Sequence, residues 1–279
     1  MSIDYETEYD NRGRIPEHPE IFARWERETK NYRAIAKDAQ LGLSYGPSAR
    51  QTIDLFPAKD PDAPLAMFIH GGWWRSLDPS MFSQLAAGPN ANGITVAVVG
   101  YNLCPTCSIA NIIEQMRAAC LYLWRKFHKR IFVYGHSAGG HLAACMVAAD
   151  WKSVASDVPA DLVPAAYAIS GVFDLMPLLH VSQNADLRLD EKSARAASPL
   201  YWPAPAGRKL DAVVGALESS EFLRQSRAIA DAWGKGAKTC YEEISGTNHF
   251  TVVDSLVDPA SAMTKRVVDL AKQVASIKI

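Results

Sequence analysis

The chain has 279 residues, of which 48% are hydrophobic and 21% are charged, and its formal net charge is −1. This length and composition fit one large α/β domain, and the near-neutral charge gives no electrostatic reason to expect nucleic acid or an anionic membrane as a partner. The N-terminus is acidic and polar, and no stretch approaches the roughly 20 apolar residues of a bilayer span. We therefore expect a soluble, cytoplasmic protein.

The first 45 residues contain several aromatic side chains and a predicted helix over 19–39. They do not show the alternation of strand and helix patterns found in the rest of the chain. We interpret this segment as an N-terminal cap on a single domain that covers residues 1–279.

From about residue 50, short apolar runs alternate with helical patterns. The runs predict buried strands at 51–56, 65–69, 95–99, 131–134, 165–169, 210–214 and 239–244. Helices are predicted at 109–129, 138–150 and 221–236, and further helix starts at Asp78-Pro79 and Asp258-Pro259, where an acidic N-cap precedes a proline. This alternation predicts an α/β fold with a mostly parallel, doubly wound sheet and helices on both faces.

The connection at 174–208 is long and rich in Leu, Pro and Ala. Long connections in compact domains are usually lids or binding loops, so we expect this insertion to act as a cap or lid.

The motif G-H-S-A-G at 135–139 lies between the predicted strand at 131–134 and a small-residue helix. This arrangement is typical of a nucleophile elbow, in which a sharp turn presents a serine hydroxyl above the sheet edge. The two glycines are needed because side chains there would collide with the neighbouring strand and helix. Ser137 is therefore the predicted nucleophile.

A serine hydroxyl needs a base and an orienting acid, which in this fold follow the serine in the order acid, then histidine. Among the seven histidines, His249 alone follows the last predicted strand, in a polar turn. The acid is expected on the loop after the strand at 210–214. Glu218 is preferred there, because Glu221 is expected to start the next helix, where an acid favours the helix dipole.

The sequence H-G-G-W-W at 70–74 follows the strand at 65–69, where an oxyanion loop is expected. We predict backbone N–H donors from Gly72, Trp73 and Ala138, with the His70 side chain bracing the loop. Trp73 and Trp74 are predicted to limit the acyl group to formyl or acetyl. Tyr201 and Trp202 are predicted to help hold an aromatic leaving group, although one or both of the consecutive indoles could instead pack under the cap.

Together, the elbow and the H-G-G-W-W loop resemble the α/β-hydrolase superfamily, and specifically its kynurenine formamidase (arylformamidase) branch. Further matches to that branch are Q-T-I-D-L-F at 51–56, Y-N-L-C-P at 101–105, E-F-L-R-Q-S at 221–226 and N-H-F at 248–250. The resemblance implies an eight-stranded sheet, a Ser–acid–His triad without a cofactor, and hydrolysis of N-formyl-L-kynurenine to formate and kynurenine. The chain departs from the branch at Glu218, where Asp is common, and at Trp73, where Tyr is frequent.

The leading hypothesis is thus a serine hydrolase of small acyl amides or esters, and a short-chain carboxylesterase is the alternative. A non-catalytic receptor would most simply lack a triad member, and none is missing. A lyase on the same fold usually needs an extra cation in the pocket, for which only Arg75 lies next to the motifs.

No metal is expected, since Cys104 and Cys107 form only an isolated pair. The sequence leaves the oligomeric state open, with a homodimer among the alternatives.

Overall fold

Eight strands form one sheet in the computed structural model, which describes residues 3–278 and leaves Met1, Ser2 and Ile279 outside the described residues. The strands are β1 (Gln40–Ser44), β2 (Thr52–Phe56), β3 (Leu65–Ile69), β4 (Thr95–Val99), β5 (Ile131–His136), β6 (Ala165–Ile169), β7 (Lys209–Gly215) and β8 (Lys238–Ile244). Their order is β1-β2-β4-β3-β5-β6-β7-β8. The β1–β2 and β2–β4 pairings are antiparallel, and all the others are parallel. The predicted mostly parallel sheet is confirmed.

Strand β1 lies within the segment that the sequence assigned to the cap. Four of its five residues are exposed, so the strand carries no run of buried apolar residues. Its backbone pairs with β2 at the edge of the sheet. The strand was missed because backbone pairing, without a buried face, leaves little mark on the sequence.

Helices cover both faces of the sheet. The α-helices of the described residues are α1 (Tyr5–Tyr9), α2 (Asn11–Arg14), α3 (His18–Ile35), α4 (Ala87–Ala91), α5 (Ile109–Phe127), α6 (Ala138–Ala148), α7 (Trp151–Val154), α8 (Asn184–Leu187), α9 (Glu191–Ala196), α10 (Ser220–Trp233) and α11 (Ala262–Ala275). Helices α5, α6 and α10 pack on one face, and α3 and α11 pack on the other. None of the helices within residues 3–278 is both long and apolar enough to cross a membrane.

The central strand β3 shows how the sequence builds both layers. Successive side chains of a strand point to opposite faces, so Met67 joins the core under α5 and α6 while Phe68 joins the core under α11. Both side chains are fully buried. Each contributes about 1.5–3 kcal/mol of hydrophobic stabilisation relative to an exposed position.

Two predicted helix starts differ from the structure. Asp78 caps only a short 3₁₀ turn, Pro79–Met81. The last helix begins after Ser261, whose hydroxyl accepts the N–H of Thr264. Asp258 instead accepts the N–H of Ala260 within the preceding turn, so its carboxylate is already used outside the helix.

The segments at 3–39 and 174–208 lie against each other at the carboxyl ends of the strands. Tyr5 stacks on His180 with ring centres 6.0 Å apart. The carboxylate of Glu6 accepts hydrogen bonds from the backbone and side chain of Ser182, each at 2.6 Å. These contacts join the two predicted cap segments above the sheet edge that carries Ser137.

Candidate active site

Ser137 lies in a sharp turn between β5 and α6, with φ 56° and ψ −119°. Such a conformation is costly for a residue with a side chain and recurs where a turn must present a reactive group. A Cβ on Gly139 would lie 1.9 Å from the carbonyl oxygen of Ile69, and one on Gly135 would lie 2.3 Å from the carbonyl oxygen of Gly139. Only glycine fits at these two positions, as the motif predicts.

Ser137, His249 and Glu218 form a continuous hydrogen-bonded chain. His249 Nε2 lies 3.0 Å from Ser137 Oγ, and His249 Nδ1 lies 2.6 Å from Glu218 Oε2. All three residues are buried. Since the carboxylate accepts the Nδ1 hydrogen, Nε2 is left to accept the serine hydroxyl hydrogen, which is the tautomer a general base requires.

The carboxylate of Glu218 is fixed by two further donors. The backbone N–H of Gly215 lies 2.7 Å from Oε1, and the hydroxyl of Ser170 donates to the same oxygen at 2.5 Å. Ser170 was not predicted from sequence. Its signal was its place directly after β6, the strand next to the elbow, where functional side chains of this fold gather.

His136, inside the elbow motif, contacts the loop of His249 rather than the serine. Its Nε2–H donates to the carbonyl oxygen of His249 at 2.8 Å. Burial, together with the neighbouring His249, holds the pKa of His136 well below its usual range, so the ring stays neutral. His136 therefore anchors the backbone that carries His249.

The loop at 70–74 makes an unusual turn beside Ser137. Gly72, Trp73 and Trp74 all have positive φ, at 108°, 54° and 52°. His70 braces the loop, as predicted: its Nδ1–H donates to the carbonyl oxygen of Gly71 at 2.7 Å, and its ring stacks on Tyr101 with centres 4.3 Å apart. Burial lowers the pKa of His70 to about 4, so the ring is neutral near pH 7.

A cavity of about 360 Å³ opens above Ser137. Gly72, Trp73 and His249 line it together with the serine. Aromatic residues form part of its other walls, and several of them come from the N-terminal segment, a contribution that the sequence did not specify. They include Tyr9, Phe22, Trp25, Phe82 and Phe250.

Three of the four aromatic residues proposed to bind substrate lie away from this cavity. Trp74 is fully buried and contacts His141 edge-on, which is the packing role that was the alternative for the indoles. Tyr201 donates its hydroxyl hydrogen to Asp174, and its ring faces outward under the Arg195 guanidinium. Trp202 donates to the carbonyl oxygen of Ala196 and borders a separate surface groove. Of the four, only Trp73 lines the cavity.

Charge at the cavity comes from Asp10, Arg12 and Arg75. Arg75 is ion-paired with Asp186. Arg12, which the sequence did not single out, makes no ion pair with any acid within residues 3–278. In the same range, no cluster of three or more His, Cys, Asp or Glu side chains is arranged to hold a metal ion.

The family model described as "alpha/beta hydrolase fold" matches residues 66–225, which include both the 70–74 loop and the elbow. The chain belongs to the α/β-hydrolase family. This α/β hydrolase is 28% identical to the kynurenine formamidase of Danio rerio, over 85% of this chain and 83% of that protein. It is 30% identical to the kynurenine formamidase of Drosophila melanogaster, over 76% of this chain and 75% of that protein.

Solved structures agree with the family. A crystal structure from Silicibacter sp. TM1040, named a putative thioesterase, superposes with a TM-score of 0.85 at 31% identity and covers 95% of this chain and 99% of its own. The metagenomic carboxylesterase EstE1 superposes with a TM-score of 0.70 at 19% identity. The superposition covers 92% of this chain and 96% of EstE1, and it shows a shared fold. Family and relatives together make this chain a hydrolase of the amide or ester type.

Proposed function

We propose that this hydrolase releases a small acyl group, formyl or acetyl, from an aromatic amine or phenol through an acyl-enzyme on Ser137. The observation that carries the proposal is the buried Ser137–His249–Glu218 relay at the base of an aromatic cavity. Hydrolysis of an aryl formamide of the N-formylkynurenine type, a step of tryptophan catabolism, is the leading assignment. The formamidase relatives support it, and a short-chain aryl ester is the alternative.

Ser137 Oγ attacks the carbonyl carbon while His249 Nε2 takes the hydroxyl proton. The carbonyl oxygen then carries the negative charge and is stabilised by the backbone N–H groups of Gly72, Trp73 and Ala138. Collapse breaks the C–N or C–O bond, and His249 returns the proton to the leaving nitrogen or oxygen. Water, deprotonated by His249, repeats the sequence on the acyl-serine and releases formate or acetate.

A fluorophosphonate probe combined with a substrate panel tests this assignment. The folded protein should be labelled at Ser137 and should hydrolyse N-formylkynurenine, formanilides and aryl acetates. Ser137→Ala should abolish labelling and lower kcat by roughly 10⁴- to 10⁶-fold, because the triad acts as a unit. Full turnover by a folded Ser137→Ala variant would contradict the proposal. Turnover of aryl acetates without any formamide would favour the ester alternative.

The proposal includes a single hydrolase domain capped by residues 1–45 and 174–208 and a cytoplasmic location. Its partner is a small-molecule amide or ester substrate rather than nucleic acid or a membrane, with a homodimer among the alternatives for the assembly. Supporting observations are the near-neutral net charge and five cysteines that are free thiols. Fractionation of cells that express the tagged protein would test the location, and size-exclusion chromatography with light scattering would decide between a monomer and a homodimer.

A further inference from the structure

Asn11, the first residue of α2, has an unsatisfied, buried amide donor beside the active-site cavity. Asn11 is one of the residues that line that cavity and is only 6% exposed, yet its amide Nδ2 has no hydrogen-bond partner within residues 3–278. A buried N–H group without an acceptor is destabilising, and such groups are rare in folded proteins. An acceptor brought by a ligand would satisfy this one.

Arg12, the next residue, adds a positive charge to the same wall. Its guanidinium carbon lies 5.7 Å from the ring centre of Phe22. Of the other charged side chains at the cavity, Arg75 is held by Asp186, and Asp10 accepts the N–H of Gly13 at 3.0 Å. Arg12 is thus the arginine at the cavity that is left without an acidic partner among the described residues.

This wall lies close to the residues that surround His249. Asn11 also lines a second cavity, which it shares with His249 and Glu218. Phe22, which lies beside the Arg12 guanidinium, is 5.1 Å from Phe250 between ring centres, and Phe250 is 5.6 Å from the ring of His249. In the proposed reaction His249 delivers its proton to the leaving group, so a substituent on that group falls beside Asn11 and Arg12.

We propose that Asn11 and Arg12 form a subsite for an anionic substituent, a carboxylate, on the aromatic leaving group. Both side chains offer N–H donors, and a guanidinium and an amide together suit the two oxygens of a carboxylate. The aromatic ring of the substrate would lie between this subsite and Ser137, against Trp73 and Phe22. This inference rests on the proposed hydrolase function and extends it to a substrate class: aryl amides and esters whose leaving group is negatively charged.

Matched esters test the charge preference. The three substrates are 3-acetoxybenzoate, neutral 3-acetoxybenzamide and cationic 3-(trimethylammonio)phenyl acetate, each corrected for its rate of hydrolysis by hydroxide. We expect kcat/KM for the anionic ester to exceed that for the neutral ester by about tenfold, the value of one hydrogen bond to a charged group. The preference should weaken as salt is raised, because Arg12 is exposed.

Variants assign the preference to the two residues. Arg12→Gln and Asn11→Leu should each lower the anionic-to-neutral ratio of kcat/KM, and Arg12→Gln should bring it close to 1. The matched control is Arg27→Gln, which removes the same charge from an exposed position on α3 outside the cavity and should leave the ratio unchanged. Circular dichroism establishes that each variant is folded.

Calorimetric titration with 3-hydroxybenzoate and 3-hydroxybenzamide measures the subsite without turnover. Tighter binding of the benzoate, lost in Arg12→Gln, supports the proposal. Three outcomes would overturn the subsite without contradicting the proposed hydrolase function. The two probes could bind equally well, the preference for the benzoate could survive Arg12→Gln, or the enzyme could prefer the cationic ester through Asp10. Absence of phosphonate labelling and of ester turnover would instead refute the proposed function, and the titration would still decide the subsite.

Discussion

Tyr9 donates its hydroxyl hydrogen to Glu221 Oε2 across 3.0 Å and so ties α1 to the first turn of α10. Glu221 also accepts hydrogen bonds from Nε and Nη2 of Arg224, at 2.7 and 2.8 Å. Burial, followed by the charge of Glu221, raises the pKa of Tyr9 above its usual range, so the phenol remains a donor. Because the ring of Tyr9 contacts Trp73, this bond holds a wall of the active-site cavity in place.

Replacing Glu218 and replacing Glu221, the two acids separated by Ser219 and Ser220, should therefore have different effects. Glu218→Gln should lower kcat by up to about 10⁴-fold, because the amide no longer holds His249 in the required tautomer, with little loss of stability. Glu221→Gln should lower the free energy of unfolding by about 1–3 kcal/mol, since it weakens the buried hydrogen bond with Tyr9 and the partly buried ones with Arg224, and should reduce kcat much less. Urea unfolding and steady-state kinetics on both variants provide the measurement. A silent Glu218→Gln beside an inactive Glu221→Gln would show that the acid is misassigned.

Gly72 should be intolerant of a methyl group. A Cβ there would lie 2.2 Å from the carbonyl oxygen of Ser76, and φ is 108°. Gly72→Ala must shift the loop, and we expect kcat to fall by about 10²–10³-fold, the usual effect of losing one oxyanion donor. Gly93→Ala is the matched control, because φ is also positive (82°) but no atom lies within 4 Å of the added Cβ. It should cost about 1 kcal/mol of stability and keep kcat. If the two variants had comparable kcat values, the loop at 70–74 would have no part in the mechanism.

Stability should decline as the pH falls from about 6.5 towards 4. Burial lowers the pKa of both His70 and His141 from 6.5 to about 4. In this pH range the unfolded chain binds protons that the folded protein does not, so acid favours unfolding. The stability contributed by the neutral histidines is fully present only above the pKa of histidine in the unfolded chain. Each histidine would contribute a loss on the order of 3 kcal/mol. Chemical denaturation at several pH values measures the slope, and His70→Asn, which retains a donor for the carbonyl of Gly71, should make it shallower. An unchanged slope in that variant would mean that His70 does not contribute.

Trp73 should set the length of the acyl chain that the enzyme accepts. We expect kcat/KM for p-nitrophenyl esters to fall steeply from acetyl to octanoyl, because each methylene that lacks space costs about 1–3 kcal/mol. Trp73→Ala should flatten this profile, whereas Trp202→Ala, at a groove apart from the cavity, should not. A wild-type maximum at octanoyl or longer would contradict the formamidase assignment.

The sequence by itself determined seven of the eight strands, the elbow and the chain order of Ser137, Glu218 and His249. These features depend on local rules. A buried parallel strand is a continuous apolar run, and the turn at Ser137 tolerates only glycine at 135 and 139, so both leave their mark within a few residues. The strand β1 left no such mark, because its residues are mostly exposed and its pairing uses backbone atoms alone.

Only the tertiary structure decided which side chains surround the serine. Tyr9, Asn11 and Arg12 precede Ser137 by more than 120 residues, and Ser170 supports Glu218 from a neighbouring strand end. The adjacent indoles Trp73 and Trp74 have almost the same φ, yet one faces the cavity and the other is fully buried. No local pattern separates them, because the direction of a side chain in an irregular loop is set by the surfaces that pack around it.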